Sequence, residues 1–496
     1  MFIRKLLNEI RNNILVYVLL GLISLLFVYF VSCSTSPFYP YYYGDDSAQF
    51  QTIGRAWADG LIPYIDMFDH KGPLIFFIDM LGFCMTGSSM GIMLLQVVFL
   101  FITLVAFYKM TQLATSSKCY GICAVILSLS VFHFVYSRGN FTEEYCLPFV
   151  SICTYFQIKY LTVSLEQKQL SHRPFHAFLY GLSFGVCLLT RVTNGITICA
   201  GILIICCVLL KNKKCKNLLW NAFGFIIGFL LIFLPFAIYF AAHDLFHEFM
   251  YGTLLYNFEY QAYMSSWLKE ATLLSILEFV VVHFTACVIF LVAVLAFLCR
   301  KTVLTVYCLL CGFLELYIFT CGASYSHYAI ITLPQAIIFL NEIYGMETKK
   351  RIYLIVKRML LGATVVFSIA CTAILLTRVI NLHNKYKEYH EVGYEQLLSM
   401  VPEEERDSFI AYGGGTFREL YLLHDITPCY KYFVMQEWHA SFSEQTREDI
   451  HQVFAEGNAI WILTDGSTEV IQDILNSRYT IIAEMGQYQL FRLSLS

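Results

Sequence analysis

Ile14–Val31 is a run of 18 residues without a single charge, and it decides most of what this chain can fold into. A helix needs about 20 apolar residues to cross the hydrocarbon core of a bilayer. In that core every backbone N–H and C=O must be paired inside the protein, so such a run is a helix. Further runs lie near 88–108, 119–136, 146–163, 177–190, 195–210, 218–240, 272–298, 302–320, 328–344 and 359–379. The sequence therefore predicts about eleven spans. The pair 177–190 and 195–210 is short and is interrupted by Thr190-Arg191-Val192-Thr193-Asn194-Gly195, which reads as a hairpin that crosses only in part. Arg4, Lys5 and Arg11 precede the first run, and no convincing small-residue cleavage site follows it. It reads as a retained span and not as a signal peptide.

Of the 496 residues, 58% are hydrophobic and only 14% charged, against about 25% charged in soluble domains. This excludes a soluble enzyme, a disordered chain and a nucleic-acid binder with a basic face. The net charge of −3 hides a division: residues 1–380 balance at +7 and residues 381–496 at −10. A transmembrane domain over 1–380 followed by a soluble domain over 381–496 is the expected organisation. In the second part Ser408–Tyr412, Ile460–Thr464, Tyr479–Ala483 and Tyr488–Leu493 read as strands, and Thr416–Leu423 and Thr468–Leu475 as helices. That pattern predicts a small α/β domain. Gly413-Gly414-Gly415 follows a strand but lacks the Lys-Ser/Thr of a phosphate loop, so a plain turn is expected.

Basic residues cluster at Arg4/Lys5/Arg11, Lys109/Lys118, Lys168/Arg173, Lys211/Lys213/Lys214/Lys216, Arg300/Lys301 and Lys349/Lys350/Arg351/Lys357/Arg358. Eleven alternating spans put all of them on the cytoplasmic side. The loops 33–73, 137–146, 241–271 and 321–327 and the C-terminal domain then lie outside. The chain has 18 cysteines. Most, such as Cys199, Cys206, Cys207, Cys308 and Cys311, sit in apolar runs as small hydrophobes, and no zinc site is expected.

The first outer loop holds Asp45, Asp46, Asp59, Asp66 and Asp69 among Tyr39, Tyr41, Tyr42, Tyr43, Trp57, Tyr64 and Phe68. Aromatic rings beside carboxylates line sugar sites, and aromatic rings also gather at any membrane interface. Asp45-Asp46 follows Gly44 and opens a helical pattern over Ser47–Asp59. One carboxylate is accounted for as a helix cap; the second is left over, and a charged carboxylate there can act as a general base towards a hydroxyl. Lys71 stands just before Gly72-Pro73 and the next apolar run. It is either a snorkelling anchor or the point charge that holds a lipid phosphate.

Tyr43-Gly44-Asp45-Asp46-Ser47, followed by Gly60, Pro63-Tyr64, Asp66 and Phe68-Asp69-His70-Lys71-Gly72-Pro73-Leu74, resembles the first outer loop of the GT-C superfamily. It is similar in particular to bacterial membrane glycosyltransferases related to protein O-mannosyltransferases and lipid A aminoarabinose transferases. Gly139-Asn140-Phe141-Thr142-Glu143 resembles their Asn-x-Thr-Glu signature, Thr190-Arg191 their Thr-Lys-Gly turn, and His327-Tyr328 an aromatic position near the donor phosphate. The likeness runs over residues 1–345 and is sharpest over 43–74. It implies a GT-C-like polytopic fold and transfer of a hexosyl or pentosyl group, with inversion, from a polyprenyl-phosphate donor to a glycan, lipid or protein acceptor outside the cytoplasm. Asp45 takes the place of the base, Asp46 that of its partner, and Glu143 that of a second acidic residue. Lys71 takes the place of the phosphate holder, with His70, Asp69, Arg138, Arg191, His327 and Tyr328 around the substrates. The relatives carry Lys-Pro-Pro or Lys-Gly-Pro at Lys71, and Lys where this chain has Arg191.

No cofactor is implied; the carboxylates admit a divalent cation, but no ligand spacing demands one. A bacterial cytoplasmic membrane is the expected location. Two other functions stay open: a transporter or flippase of lipid-linked sugars, and a polymerase or ligase of surface polysaccharide. A transporter should show inverted repeats and broken midplane helices, and no repeat is evident. Several residues outside these motifs carry weaker signals. Glu315, mid-span, is either a structural contact or part of a pathway. His283 reads as a satisfied core residue, and Asp79 as part of a surface helix over 74–86. Tyr251–Trp267 reads as an outer interfacial helix that covers a lipid groove or simply adds to the aromatic belt.

Overall fold

The computed structural model describes residues 2–136, 138–264, 272–320, 325–344, 351–441 and 443–494. The first nine helices are α1 (Phe2–Val31), α2 (Asp45–Ala58), α3 (Pro73–Thr86), α4 (Ser89–Thr111), α5 (Lys118–Val135), α6 (Thr142–Lys159), α7 (Pro174–Leu188), α8 (Ile196–Lys211) and α9 (Cys215–Ala242). They are followed by α10 (Phe246–Met250), α11 (Tyr256–Met264), α12 (Leu273–Val282), α13 (Phe284–Cys299), α14 (Val303–Thr320), α15 (Leu333–Tyr344) and α16 (Arg351–Tyr386). The rest of the chain holds α17 (Glu395–Leu398), β1 (Phe409–Tyr412), α18 (Leu420–Leu423), α19 (Gln436–Ala440), α20 (Glu444–Glu456), β2 (Trp461–Thr464), α21 (Gln472–Arg478), β3 (Tyr479–Met485) and β4 (Tyr488–Leu493). Trp267, Lys349, Lys350 and positions 321–324, all used in the sequence reading, lie outside the described residues.

Among the described residues eight helical segments are long and apolar enough to cross a membrane, so this is an integral, multi-pass membrane protein. α12 and α13 count as a ninth if taken together, bent by 89° at His283. The two remaining apolar runs give shorter pieces. α7 has 15 residues between Pro174 and the break at Thr190; Ser326–Thr332 is a tight 3-10 stretch leading into the 12-residue α15. The run 195–210 is longer than expected, because the helical turn over Val192–Gly195 extends it to a full crossing, Val192–Lys211.

The chain divides into two compact units. One comprises Met1–Ser32, Met93–Ile238 and Met264–Asn381; the other comprises Cys33–Ile92, Tyr239–Tyr263 and Leu382–Ser496. The first is held by close helix packing. Gly181 and Gly185 on α7 face Gly224 and Gly228 on α9: a Cβ on Gly181 would fall 1.9 Å from the Phe225 carbonyl oxygen, and one on Gly228 1.9 Å from that of Phe178. Small residues four apart let two backbones touch, which is how helices associate where the solvent is as apolar as their side chains. Gln157 of α6 joins α14 and α8: its Oε1 accepts from the Tyr307 hydroxyl (3.0 Å) and its Nε2 donates to the Ile198 carbonyl (3.1 Å). Cys308 and Cys311 are a C-x-x-C pair one turn apart and buried in α14, a spacing that the expectation of no metal passed over. Among the described residues no group of three or more His, Cys, Asp or Glu side chains is arranged to hold a metal.

The second unit packs α2 on the short α3, where Asp79 is fully buried, and holds a four-stranded sheet ordered β1-β2-β4-β3. β1 and β2 are parallel, and the other pairs antiparallel. Its core includes Ile410, Tyr412, Ile462, Leu463 and Leu490 with Ile450 and Phe454 of α20. The expected helix over Thr416–Leu423 is only the single turn α18, and the one over Thr468–Leu475 is shifted to Gln472–Arg478.

Candidate active site

Asp45 and Asp46 are both first-turn residues of α2; the cap position belongs to Gly44, at φ 81°. The expectation that one of the pair serves as the cap is therefore corrected: neither caps the helix through its side chain, and both stand where the helix dipole favours negative charge. Asp45 is exposed and Asp46 half-buried. The turn before them is fixed from far along the chain. Tyr43 N and Gly44 N both donate to Glu419 Oε1, at 2.8 and 2.7 Å. Arg418 Nη1 donates to Asp46 Oδ1 at 3.0 Å, and its Nη2 donates to the Met435 sulfur at 2.8 Å. At the other end of α2, Arg55 donates to Asp425 (2.8 Å) and to the Ile426 carbonyl (2.7 Å).

The loop from Gly60 to Gly72 is tied at each step. Asp66 Oδ2 accepts from Ile62 N (2.6 Å), the Tyr64 hydroxyl donates to the Lys71 carbonyl (2.7 Å), and Asp69 Oδ1 accepts from Lys71 N (2.9 Å). Phe68 N donates to the Lys431 carbonyl (2.8 Å), and Asn257 Nδ2 to the His70 carbonyl (2.7 Å). The Lys71 ammonium lies 2.7 Å from His70 Nε2. Among the described residues it forms no ion pair with a carboxylate. The His70 ring is packed among Tyr256, Tyr260 and Trp438, with centroids 5.4–5.8 Å apart.

Burial pushes the Asp69 carboxyl up from its usual range; Lys71 pulls it back most strongly, Asp46 pushes it up and Arg418 pulls it down. Burial drives the His439 imidazole down to about 3, and Lys71 and Arg418 add to this. His439 Nδ1 is hydrogen-bonded to the Tyr256 hydroxyl. Asp46, Asp69, Lys71, Arg418 and His439 thus form one electrostatic cluster, with Asp45 beside Asp46 on the open side.

The other predicted residues meet in the membrane-spanning unit. Arg191 Nη1 donates to the buried Glu143 at 2.8 Å, and the guanidinium lies 3.5 Å from the centre of the Tyr328 ring. The Thr142 hydroxyl donates to the second Glu143 oxygen (3.1 Å), and His327 stacks on Phe141 at 4.3 Å. Arg138 is half-buried in the turn that leads through Gly139 and Asn140 into α6. Asn140 is fully buried and accepts from the Tyr145 hydroxyl (2.6 Å). A small cleft with a cavity volume of about 10 Å³ is lined by Arg191, Asn194, Glu315, Phe319 and Tyr328, among others. His283, read from sequence as a core residue, is fully buried; it sits at the sharp bend between α12 and α13 and stacks on Phe319 at 4.7 Å.

The ten candidates therefore form two groups: Asp45, Asp46, Asp69, His70 and Lys71 in one unit, and Arg138, Glu143, Arg191, His327 and Tyr328 in the other. The sequence reading missed Arg418, Glu419, Trp438 and His439. The only signal near them was the Gly413–Gly415 loop.

A sequence-family profile described as "Putative competence-induced protein Ccs4 N-terminal domain" matches residues 7–389. No curated protein matches in sequence. The fold is similar to that of ArnT from Cupriavidus metallidurans bound to undecaprenyl phosphate, with a TM-score of 0.58 and 12% identity over 96% of this chain and 97% of that one. The apo state of the same protein gives 0.58 and 10%, covering 97% and 98%. The apo oligosaccharyltransferase of Archaeoglobus fulgidus gives 0.53 and 12%, covering 96% of this chain and 74% of that one. The fold is shared with these solved structures.

Proposed function

The chain belongs to the competence-induced Ccs4 N-terminal domain family, and we propose that it is a glycosyltransferase that moves a sugar from a polyprenyl-phosphate donor to an acceptor outside the cytoplasm. The observation that carries this reading is the cluster in which Asp46, Asp69, Lys71 and Arg418 act on one another beside the exposed Asp45. The fold supports it, since a solved protein that shares it holds undecaprenyl phosphate.

Asp45 accepts the proton of the acceptor hydroxyl as that oxygen attacks the anomeric carbon. The bond from the anomeric carbon to the phosphate oxygen breaks, and its electron pair leaves with the phosphate. Lys71 stabilises the charge that grows there. Arg191 is already committed to Glu143 and Tyr328, so Lys71 is the cation we assign to the donor phosphate. A single displacement inverts the anomeric centre. The distribution of basic residues supports a site and a C-terminal domain outside the cytoplasmic membrane of a bacterium.

The test is release of free polyprenyl phosphate by the protein in nanodiscs from a panel of polyprenyl-phosphate sugars. Wild-type release, with a loss of about 100-fold or more in Asp45→Asn, supports the reading. No release from any donor, while labelled lipid still crosses the bilayer, replaces it with the transporter. A chelator added to the active sample reports whether a divalent cation takes part.

A further inference from the structure

Glu315 lies within the spanning helix α14 and is 2% exposed. Its Oε1 meets no hydrogen-bond partner among the described residues. α8 packs against α14, and the tight turn Val192–Gly195 that leads into α8 carries Asn194. Asn194 is 5% exposed, and its Nδ2 also meets no partner among the described residues. Both side chains line the same small cleft, together with Arg191, Phe319, Tyr328 and Ile331. A donor and a carboxyl oxygen, each shut away from bulk water and each unmet, thus share one space inside the membrane-spanning unit.

Buried polar groups are paired with protein or with ordered water in the great majority of cases. The occupant of this cleft must accept from the Asn194 amide and also bond to the Glu315 carboxyl. An anion is repelled by Glu315. A cation meets the Arg191 guanidinium in the same lining and cannot accept from an N–H. Water donates and accepts. The cavity volume of about 10 Å³ is room for about one water molecule and far too little for a sugar ring. We infer that the cleft is a hydration site, in which one water molecule bridges Glu315 of α14 to Asn194 of the turn before α8. Such a bridge is nearly as favourable in enthalpy as a direct hydrogen bond. It accounts for two costly features at once. A carboxyl within a span is expensive, and here it anchors the water. The crossing Val192–Lys211 begins with an irregular turn, and ordered water is one of the means by which polar groups at a break in a membrane helix are satisfied. The inference does not depend on the transferase reading.

The test is hydroxyl-radical labelling of the full-length protein in nanodiscs, read residue by residue by mass spectrometry. Radicals formed from water by an X-ray pulse mark side chains that touch water. Ile331 lines the cleft and is 3% exposed; Ile330, its neighbour in the chain and of the same reactivity, is fully buried and does not line it. In the wild type Ile331 should be labelled well above Ile330. In Glu315→Leu the label at Ile331 should fall to the level of Ile330. In Glu315→Gln, which keeps a hydrogen-bonding group and removes the capacity for charge, it should persist. Equal labelling of Ile330 and Ile331 in the wild type overturns the inference before any variant is made. A label at Ile331 that survives in Glu315→Leu overturns it as well. A loss in Glu315→Gln as complete as in Glu315→Leu replaces the water with a bound cation.

Discussion

Lys71 Nζ stands 2.7 Å from His70 Nε2, so a ring nitrogen that brings no opposite charge receives the ammonium. A lysine on a carboxylate would have its charge spent; against a ring nitrogen its direction is fixed without that pairing.

Replacing Lys71 by Met should raise the donor KM by about 10–100-fold, the worth of one charge-assisted hydrogen bond to phosphate. Lys71→Arg should fall between the two, because the fork cannot repeat the contact to His70 with the same geometry. The measurement is polyprenyl phosphate release against donor concentration. An unchanged KM in Lys71→Met would remove Lys71 from the donor site.

The Glu143–Arg191 pair should show the asymmetry of buried ion pairs. Arg191→Met leaves the Glu143 carboxyl buried without its cation, at a cost on the order of 3 kcal/mol. The double variant Glu143→Gln/Arg191→Met should recover much of that. Thermal unfolding in detergent reads both; equal melting temperatures for the single and the double variant would contradict the pairing energetics.

Acid should destabilise the second unit through His439. Its folded value of about 3 lies below the ordinary value of an exposed imidazole. The stability from keeping it neutral is full above about pH 6.5 and is lost as the pH falls towards 3. Between pH 7 and pH 5 this amounts to about 2 kcal/mol. Asp69 has the opposite sign: its carboxyl is pushed up, so its contribution is present below the ordinary carboxylate range and is lost as pH rises through the raised value. His439→Asn should therefore flatten the fall in melting temperature between pH 7 and pH 5. A slope equal to that of the wild type would show that another group titrates.

Gly228→Val should prevent α7 and α9 from meeting, because its Cβ would collide with the Phe178 carbonyl oxygen. Overpacking of this kind, against backbone that cannot move aside, should cost more than the usual 1–3 kcal/mol or so of an enlarged side chain. Yield of monodisperse protein from size-exclusion chromatography is the readout, with Leu219→Ala, on an exposed face of α9, as the control.

Residues that carry their own context were legible in the sequence. Ile14–Val31 could only be a spanning helix, and the acidic pair, Lys71 and Glu143 stood out through their neighbours in the chain. The four strands were found within a residue or two, because alternation and turns are local signals. Arg418 and Glu419 were not legible: they are ordinary surface charges in sequence, and only the tertiary fold brings them to Asp46 and Gly44. The N-cap was misread for a related reason. A carboxylate after a glycine looks like a cap until φ at Gly44 shows that the glycine itself occupies that place. The break at His283 was hidden because both sides of it are equally apolar.

The amides of Tyr43 and Gly44 accept their shape from Glu419, which the ribosome adds 376 and 375 residues later. During synthesis the acidic pair therefore exists long before it is set. A nascent chain that holds Asp45, Asp46 and Lys71 but not yet Glu419 presents them as an unfinished surface, whose turn at Tyr43 and Gly44 is set only when Glu419 has been made and folded. On the proposed transferase reading, activity waits on Glu419, and a chain that stalls before it is silent instead of being partly active.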